Sequence, residues 1–188
     1  MALTIDKLPA PAGMPEWQWI LGRVQLLLIQ GGFKQAITMQ YTPNNVPNVI
    51  SSINDLSRKL STNGLRCRVA IDSNRGEYGI SVGKNDQTLD ELKLCLSGKL
   101  PIDEADLIHG RLSGFPDSAI EAFIANDVIQ PEALPKTVRL SPEYVFATFR
   151  FSKEHWREEL DTSKKWALYI KDTAPELYEQ YLKRFTEQ

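Results

Sequence analysis

The sequence has few cysteines, no long apolar run and no excess of charge of one sign. Its two cysteines, Cys67 and Cys95, are too few for a disulfide framework or a four-cysteine zinc site, so we expect buried, reduced thiols. With 22 basic and 24 acidic side chains the net charge is −2, and the basic excess of most non-specific nucleic-acid binders is missing. The most apolar stretch, residues 17–29, is shorter than the roughly 20 residues of a membrane span, so no membrane segment is expected.

The sequence also lacks the motifs of the common enzyme classes. Neither Gly31-Gly32 nor residues 76–79 match a phosphate-binding loop or a dinucleotide fingerprint. We identify no nucleophile elbow and no His-Glu-x-x-His zinc motif, and neither cysteine can be paired with a histidine base from the sequence. Residues 1–7 contain an early acid and no apolar core, which is not the pattern of a secretory signal. We therefore expect a cytoplasmic protein without a cofactor.

Three parts are expected along the chain. Residues 1–14 hold prolines, a glycine and little periodicity, which indicates an extended N-terminal arm. Residues 15–98 show helical and strand-like periodicity in the order α-β-α-β-β-α, which predicts an α+β subdomain with one antiparallel sheet and helices on one of its faces. Residues 99–188 are mostly helical in pattern and are expected to pack on the first subdomain, as a second subdomain or as part of one single domain.

The sheet is predicted from three runs of alternating residues. These are residues 33–42, 66–72 and 77–83, and a turn at Asn74-Arg75-Gly76 joins the last two. The turn predicts that the last two strands are antiparallel neighbours. Which of them pairs with the first strand stays open at this point.

One stretch of the helical half, residues 138–151, has an ambiguous pattern. Its apolar residues from Val145 to Phe151 alternate in a way that favours a strand, with a helix as the open alternative. Because most of the residues are apolar, such a strand would be buried on both faces.

The two histidines of the chain each have an acid three residues away. Asp106 precedes His109 and Glu158 follows His155, and on a helix this spacing places both members of a pair on one face. If the two helices met, two nitrogen and two oxygen donors could bind one divalent metal ion. The alternative is that both pairs lie in solvent on charged segments.

Two further groups of residues are candidates for binding a partner. Arg66 and Arg68 project together from the second predicted strand, and an open face with arginines could receive a nucleic-acid backbone or a protein. The last two helices are rich in aromatics, among them Trp166 and Tyr178, which are residue types that often anchor protein interfaces. The alternatives are a solvated sheet face and ring packing between helices.

The most distinctive segment of the chain begins Leu112-Ser113-Gly114-Phe115-Pro116-Asp117. It resembles the Leu-x-Gly-(Tyr/Phe)-Pro segment of some uncharacterised prokaryotic proteins, in which small residues and an acidic, aromatic helix follow. Some of those proteins carry cysteines where this chain has Ser118 and Ala119. The resemblance implies a prokaryotic protein. Because this chain departs from those proteins at Ser118 and Ala119, a thiol or metal role is not expected at these two positions.

The residues of this segment themselves predict a corner between two helices. Gly114 gives the turn, Pro116 begins the next helix, and Phe115 is expected to be buried between the helices and the neighbouring core. The functional alternative has Phe115 exposed as an anchor for a partner.

Together these features favour a non-catalytic interaction or adaptor protein that works with a protein partner or as a homodimer. One alternative is a small metal-binding protein or metal-dependent enzyme that uses His109 and His155 with the nearby acids. A second alternative is a nucleic-acid-binding module that uses the face of Arg66 and Arg68.

Overall fold

The computed structural model describes residues 3–43, 47–72 and 76–186. It has the predicted α+β fold, with one antiparallel sheet followed by a helical half. The chain divides into two compact units, residues 1–93 and 94–188. None of the helices in the described residues combines the length and the apolar character that crossing a bilayer requires.

The first unit contains a three-stranded antiparallel sheet. Its strands are β1 (Ala36–Tyr41), β2 (Arg66–Asp72) and β3 (Glu77–Gly83). Their spatial order is β1-β3-β2, so β3 is the central strand, and its Ile80 lies opposite Met39 on one side and Val69 on the other. The predicted turn before β3 lies outside the described residues except for Gly76, whose φ of 65° is a conformation that favours glycine.

Helices approach both faces of this sheet, which corrects the prediction that they share one face. They are α1 (Glu16–Gln30), α2 (Val49–Thr62) and α3 (Asp86–Leu96). On the face of Ile80, a Cβ built on Gly22 of α1 would come within 2.7 Å of the Met39 sulfur. On the opposite face, a Cβ built on Gly83 would come within 2.7 Å of the Thr88 hydroxyl of α3. The absence of a side chain at Gly83 therefore lets α3 approach the face that was expected to be open.

The N-terminal arm is anchored on α1. It contains one turn of 3-10 helix, Ile5–Lys7, and its first two residues lie outside the described part of the chain. Ile5 and Leu8 are fully buried, and Trp19 of α1 donates its indole N–H to the Leu8 carbonyl at 2.7 Å. Burial and this hydrogen bond together hold the arm in place.

The second unit continues after α3 with short and long helices. They are α4 (Ile102–Leu112), α5 (Asp117–Ile124), α6 (Lys136–Arg139), α7 (Pro142–Val145), α8 (Trp156–Thr173) and α9 (Pro175–Thr186). The helix α5 packs on α4 and α8, and α7 packs on α8 and α9. The predicted corner between α4 and α5 is confirmed: Gly114 has a φ of 71°, and the Phe115 N–H donates to the Gly110 carbonyl at 3.0 Å.

The strand favoured for residues 138–151 is wrong. Pro135 precedes α6 and Pro142 begins α7, and a proline suits a helix start because its missing N–H would have no partner there. The Ser141 hydroxyl also accepts a hydrogen bond from the Tyr144 N–H at 3.3 Å. The alternating apolar residues after α7 belong to an irregular segment whose rings pack in several directions, such as Phe149 on Trp166.

The close approach of α4 and α5 at Gly110 gives a testable prediction. A Cβ built there would lie 2.7 Å from Cγ1 of Ile120, a side chain that is buried. We expect Gly110→Ala to lower the free energy of unfolding by about 1–3 kcal/mol, as overpacking does, in spite of the higher helix propensity of alanine.

Chemical denaturation measures this change. In an Ile120→Ala background the same substitution is expected to cost less, because the clashing atoms are gone. If Gly110→Ala lowered the free energy of unfolding equally in both backgrounds, the contact with Ile120 would not be the cause of the destabilisation.

Candidate functional site

The four residues of the predicted metal site remain two separate pairs. Asp106 and His109 lie on α4 and line the same cavity of the second unit. The other pair is exposed just before and within α8, with His155 Nδ1 3.1 Å from Glu158 Oε2. Within the described residues, no three histidine, cysteine, aspartate or glutamate side chains are grouped so that they could hold a metal ion.

The sheet face of Arg66 and Arg68 is not the open basic surface that the sequence predicts. Arg68 donates to the carboxylates of Asp90 and Asp86 on α3. The hydrogen bond with Asp90 raises the pKa of Arg68, and the same bond lowers the pKa of Asp90. Arg66 stays exposed, but the two carboxylates neutralise its neighbour, which weakens the case for binding a phosphate backbone.

One serine has the sequence context of a nucleophile but not its geometry. Residues 79–83 read Gly-Ile-Ser-Val-Gly, which corrects the expectation that the sequence holds no pattern of a nucleophile elbow. In the elbow of an α/β-hydrolase the serine lies on a sharp turn between strand and helix. Here the whole pattern lies inside β3, which is paired on both sides, and the hydroxyls of Ser81 and Thr38 share a hydrogen bond at 3.0 Å. Ser81 is therefore a sheet residue rather than a nucleophile.

Both cysteines are free, as predicted, but only Cys95 is buried as expected, whereas Cys67 is half-buried. Burial raises the pKa of the Cys67 thiol, and a hydrogen bond with Ser57 opposes this only in part. Because the thiolate is the reactive form, Cys67 is poorly suited to nucleophilic chemistry.

Two of the predicted partner-binding residues belong to the core of the second unit. Trp166 is 1% exposed and meets the Phe149 ring edge-on with centroids 5.8 Å apart. Tyr178 is 8% exposed and stacks on Phe146 at 5.5 Å. Both rings are therefore engaged in packing within the second unit and offer little surface to a partner.

Phe115 is half-buried, so the predicted burial of its ring holds only in part. Its ring packs on that of Phe149, with centroids 5.4 Å apart, and both rings line a cavity. Phe115 therefore supports the corner and also presents part of its surface to a site.

This cavity, which we call the histidine cavity, has a volume of about 480 Å³. Its main lining residues are Asp106, His109, Phe115, Ile120, Phe123, Thr148, Phe149 and Arg150. Three phenylalanines and an isoleucine make much of its wall apolar, and a few polar groups lie among them. This combination of size, apolar walls and few polar groups is typical of binding sites.

A second cavity of about 520 Å³, which we call the arginine cavity, borders the same irregular segment. Its main lining residues are Gln130, Arg139, Tyr144, Phe149, Arg150, Phe151 and Phe185. Ala147, Phe149 and Arg150 line both cavities. The segment that was predicted as a strand is therefore the shared wall of the two cavities, a role that its alternating apolar residues suit.

A buried carboxyl group holds this region together. Glu159 of α8 is 1% exposed, and its Oε1 accepts a hydrogen bond from the Ser118 hydroxyl at 2.7 Å. Its Oε2 accepts from the Ser152 N–H, also at 2.7 Å, so one side chain joins α8 to α5 and to the segment after Phe151. The signal in the sequence was its spacing, because Glu159 lies on the same helical stripe as the buried Ser163.

A buried lysine lies between α1 and β1 in the first unit. Lys34 is 1% exposed, and burial lowers its pKa from 10.5 to about 7. Its burial removes the amine from ligands in solvent, so we regard Lys34 as a determinant of stability rather than as a site.

No protein-family model, no curated protein and no solved structure matches the chain. The resemblance of residues 112–123 to uncharacterised prokaryotic proteins stays a prediction.

Proposed function

We propose that the second unit is a non-catalytic binding module whose histidine cavity receives an apolar or aromatic side chain of a partner protein. The observation that supports this function is a cavity of about 480 Å³ with walls formed by Phe115, Phe123 and Phe149. Phe123 is 47% exposed, so part of an aromatic ring at this cavity faces solvent. Large rings in such a position are the usual anchors of protein interfaces.

The polar groups of the cavity suit recognition better than catalysis. No serine or cysteine is among the described residues that line it, and its hydroxyl comes from the exposed Thr148. Asp106 and His109 supply two metal ligands, fewer than the three protein ligands of a typical catalytic zinc site. The exposed Arg150 adds a residue type that is enriched at interface hot spots.

Selection from a phage-displayed library of random peptides tests this function. We expect the selected peptides to share a large apolar or aromatic residue, and Phe123→Asp to abolish their binding, because a carboxylate replaces apolar contact surface. The matched control is Leu168→Asp on α8, which replaces a residue of similar exposure, 51%, that does not line the cavity.

Circular dichroism verifies that both variants fold. Binding that is lost in Phe123→Asp and kept in Leu168→Asp supports the proposal. Peptides that bind both variants equally, or a selection that yields no apolar consensus, would contradict it.

A further inference from the structure

The arginine cavity differs from the histidine cavity in its charge. Arg139 and Arg150 both line it, and no aspartate or glutamate is among its described lining residues. Its other polar groups include the Tyr144 hydroxyl and the Gln130 amide. The cavity therefore has the electrostatic character of a site for an anion.

The two arginines have no partner within the described part of the chain. Neither makes an ion pair or a side-chain hydrogen bond there, and both side chains are exposed. Other arginines of the chain are paired with acids, for example Arg68 with Asp90 and Arg111 with Asp117. Two unpaired guanidinium groups on one cavity are consequently available to a ligand.

The aromatic rings of the cavity add a second requirement for the ligand. The rings of Tyr144 and Phe151 stack with centroids 6.0 Å apart and planes 23° apart, and Phe149 meets Phe151 edge-on at 5.2 Å. Phe185, which is 45% exposed, also lines the cavity. Such rings form favourable contacts with another planar ring.

We propose that the arginine cavity binds a small aromatic anion, with a carboxylate or phosphate group on Arg139 and Arg150 and the ring against the aromatic wall. Guanidinium groups suit both head groups because their planar array of N–H donors matches two oxygens of an anion. This site goes beyond the proposed function. Arg139 does not line the histidine cavity, and Phe123 does not line the arginine cavity.

Isothermal titration calorimetry of the full chain with four probes tests the proposal. Benzoate and phenyl phosphate carry both features, benzamide lacks the charge, and inorganic phosphate lacks the ring. We expect at least one of the first two to bind, and benzamide to bind roughly tenfold or more weakly, since a hydrogen bond to a charged group contributes more than 1.4 kcal/mol. The ratio of the benzoate and phenyl phosphate affinities identifies the preferred head group.

Two variants locate the binding. Arg139→Gln is expected to weaken the binding of the better anion roughly tenfold. Arg157→Gln, which replaces an exposed arginine of α8 outside the cavity, is expected to leave it unchanged. Arg139→Gln should also leave peptide binding at the histidine cavity intact, so a failure of either proposal is distinguishable from a failure of the other.

Four results would overturn the proposal. The first three are the absence of binding by both aromatic anions, binding of benzamide as tightly as the better of the two anions, and an affinity that Arg139→Gln and Arg157→Gln change to the same extent. Inorganic phosphate binding as tightly as phenyl phosphate would remove the role of the aromatic wall and would also overturn it.

Discussion

Glu159→Ala is expected to lower the free energy of unfolding by about 2–4 kcal/mol, because it leaves one buried and one half-buried donor without their acceptor. The donors are the Ser118 hydroxyl and the Ser152 N–H, each 2.7 Å from a carboxyl oxygen of Glu159. The two lost hydrogen bonds connect α8 with α5 and with the segment that follows the shared wall of the two cavities. Thermal and chemical unfolding of the purified variant measure the change.

Two further variants separate this network from a general effect of charge. Glu159→Gln is expected to keep most of the stability, since its amide can accept from the Ser152 N–H and donate to the Ser118 hydroxyl. Glu158→Ala, at the neighbouring position with a side chain that is 77% exposed, is expected to change stability little. If Glu158→Ala and Glu159→Ala had equal effects, the buried hydrogen bonds would not be the cause.

Lys34→Met is expected to stabilise the protein at neutral pH and to lose this advantage as the pH rises. Burial lowers the pKa of Lys34 from 10.5 to about 7 in the folded state. Between these two values the unfolded chain holds a proton that the folded chain has released, so raising the pH favours the folded wild type. The stability gap between the variant and the wild type should therefore narrow by an amount on the order of 3–4 kcal/mol from pH 6 to pH 10.

Denaturant unfolding of both proteins across this pH range measures the difference in their free energies of unfolding. The contributions of the other titrating groups are the same in both proteins and cancel in this difference. The matched control is Lys93→Met, which replaces an exposed lysine of α3 and should show a difference that varies little with pH. If the difference in unfolding free energy between Lys34→Met and the wild type stayed constant across this pH range, burial would not lower the pKa of Lys34 in the folded state.

Local features of the fold were predictable because neighbouring residues decide them. In α2 the helical spacing of Val49, Ile53, Leu56 and Leu60 predicts its buried stripe, and all four residues are buried. The corner at Gly114 was predictable for the same reason, since a turn glycine and a helix-starting proline act within a few residues. The two-residue period likewise identified all three strands.

Features that depend on distant residues could not be predicted. Arg68 looked like a free cation in the sequence, because the acids that pair with it lie 18 and 22 residues further along the chain. The spacing of Glu159 and Ser163 could have indicated its burial, but its hydrogen-bond partner Ser118, 41 residues away, could not be predicted. The wrong strand had a similar origin: the alternation in residues 145–151 reflects packing against several elements rather than pairing with a neighbouring strand.

The candidate site was predictable only in part for the same physical reason. Asp106, His109 and Phe115 were singled out from the sequence, and the structure brings all three to the histidine cavity. Phe123 and Phe149 were not singled out, because only the tertiary packing brings residues that are so far apart in sequence to one wall.

Chemical-shift mapping by NMR tests the central claim, binding at the histidine cavity, most directly. The isotope-labelled chain is titrated with N-acetyl-phenylalanine amide, a neutral probe that carries one aromatic side chain. We predict that the largest shift changes occur at His109, Phe115, Phe123 and Thr148, and that they disappear in Phe123→Asp. Shift changes centred on the sheet face of Arg66, or no saturable change anywhere, would contradict the account.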